Sequence, residues 1–233
     1  MVDYYIEPRL KRNLEQKIKG SLEKKDKDFV MCIDGKEGAG KSWLAFQIGK
    51  FVDPTLDVSR VVFNPEQFRE AIFKAKKGQC IVYDEAITGL SSRASLSGVN
   101  RVLISLMMQM RQKNLFIIIV LPTFFLLDKY VALFRARILV HVYECKGHRG
   151  YFKIYNSKLK TRLYLMGKHT YSYVSRKVKT NFRGRFYGVF ALGDEKVEER
   201  YRKNKEKALM EVEHNPMSSG QVKYREQRDI FIY

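Results

Sequence analysis

The chain has 233 residues, 45% of them hydrophobic and 13% aromatic, enough to bury the core of one large domain or of a domain with an appendage. Its formal net charge of +19 at pH 7 implies a polyanionic partner, nucleic acid ahead of an anionic membrane or an acidic protein. Three cysteines without a C-x-x-C pair, no apolar signal core at the N-terminus and a longest apolar run of thirteen residues (115–127) argue against a disulfide framework, secretion and a membrane span.

Residues 1–28 are expected to form a lead-in. Pro8 starts a helix, and Leu10, Leu14 and Ile18 recur along it at helical spacing. Arg9 to Lys27 holds eight basic and three acidic residues, a local excess of +5. The first core strand, Phe29 to Ile33, then runs into Gly35-Lys36-Glu37-Gly38-Ala39-Gly40-Lys41-Ser42, which is G-x-x-x-x-G-K-S, and a helix opens around Trp43. Strand, glycine-rich loop and helix in this order form a phosphate cradle. Glycines let backbone N–H groups point inward, the helix N-terminus adds its dipole, Lys41 reaches the β- and γ-phosphates of ATP, and Ser42 offers a hydroxyl to Mg²⁺.

Asp53-Pro54 ends that helix, and Ser59 to Phe63 reads as a second strand. Asn64, Pro65 and Gln67 start the next helix, with Phe68, Ala71, Ile72 and Ala75 on its buried face. Gln79 to Asp84 is a third strand that ends in Asp84-Glu85. Paired carboxylates at the C-terminal end of such a strand point into the ligand crevice of an open α/β sheet. Asp84 is assigned to the Mg²⁺ shell opposite Ser42, and Glu85 to polarising the attacking water. A polar segment around Arg93 follows, then a methionine-bearing helix from Asn100 to Lys113, a fourth strand (Leu115 to Leu121), a helix from Phe124 to Phe134 and a fifth strand (Arg137 to Tyr143). Strands alternating with helices over residues 29–143 predict a doubly wound parallel α/β sheet of the P-loop NTPase kind, RecA-like, with an additional strand and a catalytic glutamate.

Residues 144–192 read as a small basic β-rich appendage. Between Glu144 and Phe190 there are twelve cations and one acid, a surplus of +11, with six tyrosines and four phenylalanines interleaved. Strands are expected at 150–156, 161–166 and 170–174. Lys158, Lys160, Arg162, Arg176, Lys177, Lys179, Arg183 and Arg185 are the candidate nucleic-acid contacts. The aromatics divide between packing a small core and stacking on bases. Residues 193–233 hold a near-neutral helix from Asp194 to Glu213 and a tail.

The stretch MMQMRQKNLFIIIVLPTFFLLDKYVALFRARILVHV, Met107 to Val142, resembles the HerA/FtsK superfamily of DNA-pumping ATPases, and within it the zonular occludens toxin-like ATPases. The resemblance covers residues 29–143. Arg111 stands at the family's arginine position, Phe116 to Val120 at its strand and Asp128 at its aspartate. Where the family carries a polar pair that senses the γ-phosphate, this chain has Leu121-Pro122-Thr123, leaving Thr123 as the candidate sensor. The resemblance implies a homo-oligomeric ring, a hexamer or pentamer, with ATP between subunits and an arginine finger given in trans. Arg111 ranks first for that role, ahead of Arg135 and Arg93, with Arg101 and Arg137 also in reach.

The expected function is an ATP- and Mg²⁺-dependent motor that translocates or packages DNA, duplex first, in the cytoplasm, or in the host cytoplasm for a viral chain with capsid or portal proteins as further partners. The alternatives are a nucleotide-dependent assembly or secretion factor and a terminase-type packaging ATPase without its nuclease.

Overall fold

The computed structural model describes residues 4–24, 27–84, 113–173 and 178–214. Its elements are β1 (Tyr4–Ile6), α1 (Pro8–Asn13), a π-helical turn (Leu14–Lys19), α2 (Gly20–Lys24), β2 (Phe29–Gly35), α3 (Lys41–Val52), β3 (Val61–Val62), α4 (Pro65–Lys74), β4 (Cys80–Tyr83), β5 (Phe116–Leu121), β6 (Ala136–Cys145), β7 (His148–Tyr155), α5 (Ser157–Gly167), β8 (Phe182–Gly188) and α6 (Glu195–His214). Among the described residues the strands form one eight-stranded sheet in the order β1-β8-β7-β6-β2-β5-β4-β3. The five strands from β6 to β3 are parallel, while β7, β8 and β1 continue from β6 antiparallel.

Apolar sequence sets the centre. Every residue of β2 and β5 is buried, as strands covered on both faces require. One face packs on α3, the N-terminal helical segment and α6; the other packs on α4, α5 and the turns after β5. The N-terminal segment buries Leu10, Leu14, Ile18 and Leu22, a strict repeat of four. A helix of 3.6 residues per turn drifts about 40° at each such step. The wider π turn at Leu14–Lys19 takes up that drift and keeps the stripe on the core. α4 starts as its sequence predicts: Asn64 accepts from Gln67 N (2.8 Å), and the Gln67 side chain accepts from Phe63 N (2.9 Å).

Later segments depart from expectation. Residues 161–166 lie within α5, not in a strand. Asn156 caps that helix by accepting from Leu159 N (3.0 Å), and Lys160, Leu163, Tyr164 and Gly167 are buried at helical spacing. Thr170 and Tyr171 form a turn, with Tyr171 at φ 51°. β7 and β8 belong to the main sheet rather than to one of their own. The helix expected from Phe124 to Phe134 is two short turns, Phe124–Leu126 and Val131–Arg135. They are separated by extended Leu127 and by Asp128, whose carboxylate accepts from Tyr130 N (2.7 Å). β1 was not anticipated. Among the described residues no helix is long and apolar enough to cross a membrane.

Candidate functional site

The glycine-rich loop leaves the C-terminal end of β2. Gly35 has φ 146° and faces Val142 of β6, and a Cβ there would stand 2.2 Å from the Val142 carbonyl oxygen. Gly40 precedes α3 at φ 95°, left-handed geometry that an L side chain resists. Lys36 and Glu37 are exposed beside Gly38, and Ala39 is buried. Lys41, the first residue of α3, is buried, and its ammonium donates to the carbonyls of Gly35 (2.9 Å) and Lys36 (3.0 Å). Trp43 turns its ring into a cluster with Phe46, Phe190 and Tyr201.

Ser42 is the second residue of the same helix. Its hydroxyl donates to Asp84 Oδ1 at 2.9 Å, although β5 lies between the strands that lead to the two residues. Asp84 is fully buried, and its backbone N–H donates to Val62 O (2.8 Å). A hydroxyl and a carboxylate side by side at the start of α3 are oxygen ligands of the kind Mg²⁺ takes.

Two residues that sequence reasoning passed over also reach Asp84. Tyr201 OH donates to Asp84 Oδ2 at 2.6 Å, and Lys205 Nζ stands 3.7 Å from the same oxygen. Both lie on α6, the helix that reads from sequence as near-neutral, facing solvent or another subunit. The signal available was a single tyrosine one turn before a lysine in a run of charges; its ring packs among Phe46, Phe63 and Phe190. Arg149, at the start of β7, is also new to the site. Its guanidinium lies 3.6 Å from where a Cβ of Gly38 would stand, and it pairs with Glu144 (3.3 Å).

Thr123 sits just past β5, in a network centred on buried Asp34, the residue before Gly35. Thr123 Oγ1 and Tyr173 OH are 2.8 Å apart, and Tyr173 donates to Asp34 Oδ2. The same oxygen accepts from Phe124 N (2.8 Å), and Oδ1 meets His141 Nδ1 at 2.9 Å. Burial, with the Asp34 charge adding to it, pushes the Tyr173 phenol far up, so it stays a donor. The hydroxyl expected to sense phosphate is therefore linked, through one phenol, to the root of the loop.

Glu85, Arg93, Arg101, Arg111, Arg176 and Lys177 lie outside the described residues. Arg135 pairs with Asp28, and Arg137 lies over the Phe29 ring (5.8 Å), both at the end of the sheet opposite the loop. Among the basic candidates, Lys158, Arg162, Lys179, Arg183 and Arg185 are exposed. Lys160 is corrected: it has no exposed surface and donates to the carbonyls of Ala132 (2.5 Å) and Leu133 (3.2 Å). Burial brings its pKa down to about 8, against the opposing influence of the Cys32 thiol. It anchors α5 and offers nothing to a phosphate. Compared with known proteins, the chain matches no family model and no curated sequence.

Proposed function

We propose that this protein is a P-loop ATPase that moves or packages DNA. The observation that carries the reading is the Ser42–Asp84 hydrogen bond beside the Lys41 loop, since it joins the two nucleotide motifs at one point. The strand order β6-β2-β5-β4-β3, with β5 between the loop strand and the Asp84 strand, supports the RecA-like, additional-strand assignment.

The roles divide by chemistry. Lys41 leaves its two carbonyl acceptors for the β- and γ-phosphates, exchanging neutral partners for charged ones. Ser42 and Asp84 would hold Mg²⁺, which would supply positive charge to the phosphate oxygens. Glu85 orients and polarises the attacking water. Arg149 adds positive charge at the rim of the loop. Thr123 reports the state of the phosphate through Tyr173 and Asp34. Arg111 of a neighbouring copy in a hexameric or pentameric ring completes the charge compensation. DNA meets the cations Lys158, Arg162, Lys179, Arg183 and Arg185, and for a viral chain capsid or portal proteins are the further partners.

The test is the ATPase rate with and without duplex and single-stranded DNA, alongside the solution mass. Hydrolysis that is Mg²⁺-dependent, stimulated by DNA and carried by an oligomer is expected. Absence of nucleotide binding by the full chain would overturn the ATPase reading, and hydrolysis indifferent to any DNA would overturn the motor.

A further inference from the structure

The antiparallel wing β6-β7-β8-β1 has two unlike faces. Val140, Val142, Phe152, Ile154 and Phe186 point into the core beneath α3. The alternate residues point the other way, and the registers place them in rungs: His141 beside Lys153 beside Arg183, Tyr143 beside Tyr151 beside Arg185, and Tyr187 beside Tyr5. α5 covers one end of this second face, over Leu139 and Tyr155. Tyr173 stacks over His141 (4.1 Å); beyond these covers the rungs meet solvent, with Arg183 and Arg185 exposed, Tyr187 60% exposed, and Tyr5, Tyr143, Tyr151 and Lys153 half-buried.

Aromatic and cationic groups interlock across the rungs. Lys153 Nζ lies 4.5 Å above the Tyr143 ring and the Arg185 guanidinium 4.9 Å above Tyr151; Tyr143 and Tyr151 are 5.8 Å apart, and Tyr5 stacks on Tyr187 at 4.7 Å. The residues that β6, β7, β8 and β1 contribute to these rungs include no acid; the nearest carboxylate in register is that of buried Asp34 on β2, which meets His141 Nδ1 at 2.9 Å. Burial lowers the Lys153 pKa, and Arg183 beside it lowers it further, a like-charge contribution that an anion relieves. A core-forming role does not account for Tyr187 in solvent or for Tyr143 and Tyr151 half-buried beneath cations.

We infer that this face binds single-stranded nucleic acid, with unpaired bases stacking on Tyr143, Tyr151 and Tyr187 and the backbone running along Lys153, Arg183 and Arg185. The inference rests on the reading above that nucleic acid is the substrate, and it changes the expected form from duplex to single strand. A duplex keeps its base faces stacked inside and offers only phosphates, whereas every unpaired base presents a π-face of the kind tyrosine accepts. On entry a base displaces the cation from the ring, and that cation moves to the adjacent phosphate.

The test uses the full chain with fluorescein-labelled oligothymidylate of twenty nucleotides, a twenty-base-pair duplex and polyglutamate, each titrated at several salt concentrations. Oligothymidylate is expected to bind at least tenfold more tightly than the other two. Tyr143→Ala and Tyr187→Ala should each weaken oligothymidylate binding about tenfold with the salt slope unchanged, and Tyr→Phe at either site should restore it. Arg183→Glu with Arg185→Glu should flatten the slope for either nucleic acid. Equal affinity for duplex, or for polyglutamate, would overturn the inference, as would tyrosine variants that bind like wild type. ATPase activity, measured in parallel, separates this result from the motor. Tyrosine-dependent binding without hydrolysis would uphold the face and sink the motor, whereas DNA-stimulated hydrolysis indifferent to the tyrosines would do the reverse.

Discussion

Tyr201 OH reaches Asp84 Oδ2 at 2.6 Å across 117 residues of sequence, so α6 is tied to the carboxylate that faces Ser42. A hydrogen bond to a buried carboxylate contributes about 1.5–3 kcal/mol. Tyr201→Phe keeps the ring packing and removes the donor, so the loss in stability should fall within that range, as measured by urea unfolding. An unchanged midpoint would mean the phenol does not hold Asp84 in solution.

Lys205 holds its ammonium 3.7 Å from the same oxygen, where a positive charge opposes a metal ion at Asp84. Lys205→Met should therefore lower the Mg²⁺ concentration for half-maximal hydrolysis several-fold, with a smaller effect in high salt. A Mg²⁺ titration of the ATPase rate at fixed ATP checks it; an increased Mg²⁺ requirement would contradict the assignment.

Glu85→Gln should bind ATP and hydrolyse it at least about a hundredfold more slowly, the loss expected for a positioned base. Lys41→Ala should instead lose nucleotide binding, because the buried ammonium is the group that exchanges loop carbonyls for phosphates. Equilibrium binding of a fluorescent ATP analogue beside steady-state turnover separates the two. Near-normal turnover by the Glu85 variant would remove that residue from the chemistry.

Lys160 gives a pH dependence of definite sign. Its folded pKa is about 8, below the ordinary lysine value, so between about pH 8 and the unfolded pKa the unfolded chain binds the extra proton. Stability from this group accordingly rises with pH through that window. Neighbouring groups act the other way, Cys32 among them with its thiol pushed up to about 12 by burial. The readout is therefore the difference between wild type and Lys160→Met, which should move in favour of wild type from pH 7.5 to 9.5 in urea unfolding.

Reversing Lys158 and Arg162, both exposed on α5, should weaken DNA binding and reduce the log–log salt slope by about one unit per lost phosphate contact. Lys160 is excluded from the charge reversal, because a carboxylate against the Ala132 and Leu133 carbonyls would unfold the helix that presents its neighbours. Identical slopes for wild type and the double variant would take α5 out of the DNA surface.

The parallel half of the sheet was legible because its signals are local. β2 and β5 are continuous apolar runs, α4 carries its own cap, and the glycines before α3 announce a loop that β6 then crowds. The C-terminal half was less so because its determinants are distant. A three-residue β1 has little pattern, and its pairing with β8 spans nearly the whole chain. Lys160 reads as surface by its charge, yet two carbonyls near the end of another turn make its burial tolerable. Tyr201 reads as one aromatic in a near-neutral charged helix until the fold brings it to Asp84. Thr123 stands where the resemblance implies a phosphate sensor, but its connection to Asp34 passes through Tyr173, fifty residues away.

Val142 gives β6 two audiences. Its carbonyl closes the space beside Gly35, while its strand neighbours His141 and Tyr143 stand on the opposite side of the sheet, one bonded to Asp34 and the other in the tyrosine rungs. Any side chain at position 35 must push this strand aside, and the strand carries the rungs with it. Gly35→Ala is thus a lesion at a distance: the damage starts at the loop and emerges on the far surface, with no hinge between them to absorb it.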